Sequence, residues 1–213
     1  KQVVFVNCSG SAMGLVPETE SCRAILQAWY PGQAAGVAVA DVLFGDYNPA
    51  GRLPITFYKN VDQLPDFEDY NMKGRTYRYF KGEALFPFGH GLSYTTFTYG
   101  QAKLAKAVVK TGNSVELTIP VTNTGKYDGE EVIQVYLNRP ADVEGPSKTL
   151  RAFQRVFLKA GQKQDVKIQL NPDELVWFDT NSNTMRCIPG EYKLLYGGTS
   201  DSTKLHTVSF RMN

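Results

Sequence analysis

The stretch Trp29–Phe57, WYPGQAAGVAVADVLFGDYNPAGRLPITF, constrains the fold of this chain more than any other. Pro31-Gly32 is a turn signal directly after the apolar run Ala24–Trp29. Val37, Ala40, Leu43 and Phe44 then recur at helical spacing, which predicts a helix over Gln33–Phe44. Small residues fill the rest of that segment, so the helix can lie close against a sheet. Gly45 suits a left-handed C-terminal cap. Asn48-Pro49 and Gly51 turn the chain into the apolar run Leu53–Phe57, read as a strand. A strand–helix–strand unit of this kind implies a mostly parallel, covered sheet.

The residues before this unit carry the same signal. Val3-Val4-Phe5-Val6 is continuously apolar, as in a strand covered on both faces. A short helical turn is expected around Glu18–Arg23. The strands demand more helices than residues 1–97 supply, so this part reads as a truncated open α/β sheet, the trailing part of a larger domain. Strand Val3–Val6 would then be uncovered, which opens a route to a homodimer. Ser9–Gly14 is a small-residue loop at the end of the first strand, where open α/β sheets often face a ligand. It lacks a GxGxxG pattern.

Residues 58–86 are polar, aromatic and without period. Asp62, Asp66, Glu68 and Asp69 form an acidic cluster, but exposed loop carboxylates are not held at the fixed separation that acid–base chemistry on a sugar needs. Arg75, Tyr77, Arg78 and Tyr79 alternate planar donors with aromatic faces and are the candidate substrate-side residues; a strand covering a core edge would read the same way. His90, between two glycines, reads as a hydrogen-bonded turn residue. Asp46 and Arg52 are expected to pair beside the turn.

From Thr96 the period becomes two. Val115–Val121, Val132–Leu137, Leu150–Leu158, Val166–Leu170, Leu175–Phe178, Tyr192–Tyr196 and Leu205–Phe210 are strands separated by turn clusters, which implies an antiparallel β-sandwich over residues 98–213.

Composition removes several function classes. The net charge is +2 and neither half is strongly basic, so nucleic acid and anionic membrane are not expected partners. No apolar run approaches the roughly 20 residues needed to span a bilayer. Cys8, Cys22 and Cys187 lack metal-type spacing and read as idle thiols, with a Cys8–Cys22 bridge the alternative. No cofactor and no metal are expected.

WYPGQ…ADVLFGDYNPAGRLPITF followed by FPFGHGLSYTTF at Phe86–Phe97 resembles the C-terminal half of family 3 glycoside hydrolases, of the bacterial β-xylosidase and β-glucosidase type. The resemblance implies the end of an α/β-sandwich domain over 1–97 and a fibronectin type III-like domain over 98–213. It also implies that the nucleophilic Asp lies on an N-terminal barrel and the acid/base Glu upstream of Gln2–Asn7, so that no catalytic residue falls in this chain. The implied partners are that barrel and, through it, an oligosaccharide, and the implied location is periplasmic or secreted. The competing class is a stand-alone carbohydrate-binding or adhesion module, for which Trp177, Tyr127 and Tyr136 would have to form an exposed aromatic row.

Overall fold

A computed structural model describes residues 1–213. The N-terminal part holds β1 (Val4–Asn7), α1 (Val16–Ser21), β2 (Ala24–Gln27), α2 (Ala35–Phe44) and a single helical turn, α3 (Thr76–Tyr79). β1 and β2 pair in parallel, Val4 opposite Ala24 through Asn7 opposite Gln27. Gly45 caps α2 with φ of 88°, a left-handed conformation that costs glycine little.

Three expectations for this part are corrected. Leu53–Phe57 is not a parallel strand. It runs antiparallel to residues 86–90 through a few separate bonds: Leu53 N to His90 O, Gly89 N to Leu53 O, and a Phe57–Phe86 bridge. Pro54 interrupts the run because it has no N–H to donate. Second, α2 does not bury a face: none of its residues is buried, and Val37, Leu43 and Phe44 are exposed. The first strand is uncovered, as the shortage of helices implied, with Val3 and Val4 about half exposed. Third, Arg75–Tyr79 is no covering strand. Thr76, at φ of 57°, turns the chain into α3.

The remainder is all β, in the order β3 (Phe97–Tyr99), β4 (Lys103–Leu104), β5 (Val108–Val109), β6 (Val115–Asn123), β7 (Gly129–Asn138), β8 (Thr149–Leu158), β9 (Lys163–Leu170), β10 (Trp177–Asp179), β11 (Thr184–Arg186), β12 (Gly190–Gly197) and β13 (His206–Met212). One sheet runs β5-β13-β12-β7-β8. In the other, β6 takes β9 along one edge and β3 and β4 along the opposite one. Period-two alternation sends Val115, Leu117, Ile119 and Val121 of β6 inward against Ile133, Val135 and Leu137 of β7 and Tyr192, Leu194 and Tyr196 of β12. These residues belong to a 21-member core, and each fully buried aliphatic contributes about 1.5–3 kcal/mol. The sandwich expected from the sequence is therefore present, with its long strands where the alternation placed them.

β7 has a second face. Gln134 and Tyr136 point away from the sandwich core, yet Gln134 is 3% and Tyr136 0% exposed. What covers them is the N-terminal part: Tyr77 meets Tyr136 edge-on and stacks on Phe88 at 4.3 Å between ring centres. The layer over the sandwich is therefore built from residues 48–52, 77–78 and 86–95.

Candidate functional site

Where that layer meets the end of the sandwich, Arg52, His90, Tyr99, Glu131, Lys204 and His206 line an open groove of about 460 Å³. Its floor is an ion pair. Arg52 Nη2 lies 3.1 Å from Glu131 Oε2, with side chains 9% and 6% exposed. Arg52 Nη1 also donates to the carbonyls of Ala50 and Gly51. Glu131 Oε1 accepts the Tyr99 hydroxyl at 3.0 Å and the N–H of Val132. Burial, then the Glu131 charge, push the Tyr99 phenol well above its ordinary value. Arg52 thus pairs across the layers and not with Asp46, which is exposed. The reason is geometric: the turn at Asn48–Gly51 aims Arg52 inward, where only Glu131 supplies a carboxylate.

His90 sits beside this pair, its ring stacked on Phe86. Its N–H donates to Pro87 O and its carbonyl accepts the Leu53 N–H. These bonds make it the turn residue expected. Burial first, then the charges of Lys204 and Arg52, hold its imidazole below the usual value, while Asp201 opposes them. A neutral His90 can accept a hydrogen bond from a ligand in the groove.

The four substrate-side candidates stand on or beside α3. Arg75 turns back on its own loop, donating from Nη2 to the carbonyls of Asp66 and Asp69 at 2.9 and 2.6 Å. Tyr77 accepts the N–H of Leu150 on its hydroxyl at 3.0 Å. Arg78 reaches Thr149 Oγ1 from Nη2, and its carbonyl accepts both the N–H and the hydroxyl of Ser147. Tyr79 is half-buried on the same turn. Tyr77 and Arg78 are brought together against β8, and Arg75 faces the acidic loop.

That loop holds no pair of facing carboxylates. Asp66 Oδ1 accepts the Glu68 N–H and Asp69 Oδ1 accepts from Asn71, both as Asx turns. The bonds from Asn71 hold the Asp69 carboxyl below its ordinary value. Asp62, Asp66 and Glu68 are exposed. No three His, Cys, Asp or Glu side chains converge as metal ligands, and Cys8, Cys22 and Cys187 are free thiols. Trp177 and Tyr136 are in the interior at 2% and 0% exposure, so only Tyr127 of the expected aromatic row faces solvent.

Sequence reasoning passed over Glu131 and Gln134. The signal was there for Glu131, whose strand parity matches the inward-facing Ile133 and Val135. A carboxylate at such a position demands a partner. Gln134 Nε2 donates to the carbonyls of both Gly89 and Gly198, a role that only the packed layers reveal.

Residues 1–94 match the glycosyl hydrolase family 3 C-terminal domain, and residues 131–200 a fibronectin type III-like domain. The chain belongs to glycoside hydrolase family 3. It is 58% identical over 200 residues to a xylan 1,4-beta-xylosidase from Xylanibacter ruminicola, covering 94% of this chain and 23% of that protein. It is 36% identical to a periplasmic beta-glucosidase from Salmonella typhimurium, covering 100% of this chain and 29% of the relative. A solved β-glucosidase from Erythrobacter marinus superposes with a TM-score of 0.85 at 35% identity, over 99% of this chain and 28% of the other. This family 3 chain therefore spans roughly a quarter of the length of the relatives it matches, and it corresponds to their C-terminal portion.

Proposed function

We propose that this chain is the non-catalytic C-terminal region of a retaining, exo-acting β-glycosidase that removes terminal xylosyl or glucosyl units from plant-type oligosaccharides. The observation that carries the reading is the 58% identity to a xylan 1,4-beta-xylosidase across nearly the whole chain. The mechanism needs two carboxyl groups at a fixed separation, roughly 5–9.5 Å, and the acidic loop supplies none so held. The chain's work in this reading is positional. The 1–97 part carries substrate-side contacts through Arg75, Tyr77, Arg78 and Tyr79, and the 98–213 sandwich holds that part rigid through Arg52–Glu131, Gln134 and Tyr77. The missing partner is an N-terminal barrel, and the whole protein works in the periplasm or outside the cell, where a periplasmic relative is found.

The test is hydrolysis of aryl β-xyloside and aryl β-glucoside by this chain beside a version extended upstream through the preceding domains. Turnover by the extended protein alone supports the reading. Comparable turnover by the 213-residue chain overturns it and returns attention to Asp62, Asp66, Glu68 and Asp69.

A further inference from the structure

Both histidines of the chain, His90 and His206, line the groove at the Arg52–Glu131 pair. His90 comes from the overlying layer and His206 from the start of β13. Contacts tie the two walls together across the groove. His206 lies 6.2 Å from Tyr99 between ring centres. The Tyr99 hydroxyl bonds Glu131, and Glu131 pairs with Arg52 at 3.1 Å. On the far side, a Cβ on Gly91 would stand 2.9 Å from Arg52 Cδ, and one on Gly198 2.7 Å from Glu131 Oε1. A side chain at either glycine would collide with the floor. The space left open, about 460 Å³, is of the size that small molecules occupy, about 300–1,000 Å³.

The groove is open to solvent, since Leu92, Thr98, Lys204 and His206 on its walls are all exposed. Its polar groups are unspent. The His90 ring touches Phe86, and the His206 ring touches Tyr196 and Tyr99. No side-chain hydrogen bond within the chain uses a ring nitrogen of either. Lys204 Nζ has only Asp201 Oδ2, at 3.8 Å, beyond hydrogen-bond range. Half-buried nitrogens that face a cavity call for partners from outside the chain.

Charge and hydrogen bonding together set what fits. An anion finds little to hold it, because Arg52 is spent on Glu131 and Lys204 has Asp201 beside it. Burial, then Lys204 and Arg52, bias His90 toward its neutral form. A neutral imidazole offers one donor and one acceptor, the Tyr99 oxygen still accepts, and an ammonium donates. That mixture matches hydroxyl groups, which do both. The His206 ring stacks on Tyr196 at 5.3 Å and 20°, and its uncovered part is a flat surface for the C–H face of a cyclic ligand. Tyr196 is in the interior at 1% exposure, so His206 is backed by fixed core and loses little freedom on binding.

We propose that this groove binds a neutral saccharide, one pyranose ring lying against His206 with its hydroxyls bonded to His90, Tyr99 and Lys204. The class of ligand rests on the oligosaccharide reading given above; the place rests on the groove's own chemistry. Arg52 and Glu131 form the floor and hold Tyr99 in position. The site binds without reacting, since Glu131 is committed to Arg52, Tyr99 and Val132 and no free carboxylate pair faces the sugar.

With only two histidines, both in the groove, proton–carbon NMR of the 213-residue chain reads the site directly. Each imidazole gives one Cε1–H signal, and His206→Ala assigns the pair. Xylobiose and cellobiose are titrated at one fixed pH, beside mannitol, an acyclic polyol, and sodium phosphate. Saturable shifts of both signals with either disaccharide, with mannitol about tenfold weaker, are expected. The His90 response should be lost in a folded His206→Ala variant. His206→Gln, which lacks the ring, stands in if the alanine variant does not fold. No saturable shift with either disaccharide overturns the proposal. So does an equal response to mannitol, a response to phosphate alone, or sugar binding that survives loss of the His206 ring. Hydrolysis by the upstream-extended protein is measured separately. Turnover there without binding in the groove removes this site and leaves the glycosidase reading; binding without turnover leaves the site and removes that reading.

Discussion

The guanidinium of Arg52 and the carboxylate of Glu131, 79 residues apart in the chain, meet at 3.1 Å in a nearly solvent-free junction. Each belongs to a different layer, and each is further bound: Arg52 to two carbonyls of its own turn, Glu131 to Tyr99. The pair therefore fixes one layer's turn to the other layer's strand.

Removing one partner leaves the other charged and buried. Glu131→Ala is expected to cost about 3–5 kcal/mol, read as a fall in urea midpoint, with Glu131→Gln costing less. Arg52→Ala should cost a similar amount, and the double variant much less than the sum of the two. Additive losses would count against a coupled pair.

Gly89 stands at φ of 77°, and an added Cβ would lie 2.0 Å from Gln134 Oε1. Gly89→Ala therefore meets backbone strain and displaces the side chain that links the layers. The expected loss is about 1–3 kcal/mol, measured by chemical denaturation. Gln134→Ala frees the space but leaves the Gly89 and Gly198 carbonyls without their donor, so it should destabilise as well.

His90 gives a pH signature. Its folded-state value is lowered below the ordinary 6.5 by burial and by Lys204 and Arg52. The unfolded chain then binds the proton more readily than the fold does. The associated stability is complete above about pH 6.5 and is lost as pH falls through the lower folded value. A denaturation midpoint followed downward from pH 7.5 should decline across that window, and His90→Gln should flatten the slope there.

β1 pairs only with β2, and Val3 and Val4 are exposed beside its free edge. Such an edge accepts another strand. Light scattering of the chain should show self-association rising with concentration, reduced by Val4→Lys. A strictly monomeric chain across that range would set aside pairing through this edge.

The sandwich was legible because period-two alternation over Val115–Val121 states directly which face is buried, whereas Val132–Leu137 carries apolar residues on both faces and reads as a strand without saying so. Gly45 announced the end of α2 for an equally local reason. The groove was not legible. Arg52 and Asp46 are neighbours in sequence, and proximity along the chain favoured their pairing, but the turn directs Arg52 across to Glu131. Arg75–Tyr79 failed as a strand because its conformation is set by Thr76 at positive φ and by contacts to residues 147–150. Alternation of residue types cannot report a backbone imposed from so far along the chain.

The layer over β7 also governs how family 3 sequences can be recombined. Asn48 holds Ser93 and Tyr94 and donates to Asp128 O, Gln134 holds Gly89 and Gly198, and Ser200 N–H binds Phe88 O. A chimera that joins one relative's sandwich to another's preceding segment inherits every one of these contacts from two parents at once. Crossovers that keep residues 48–52 and 77–94 with the β7 and β12–β13 residues they touch preserve a matched set. Those that split them yield halves that are each well made and do not fit each other.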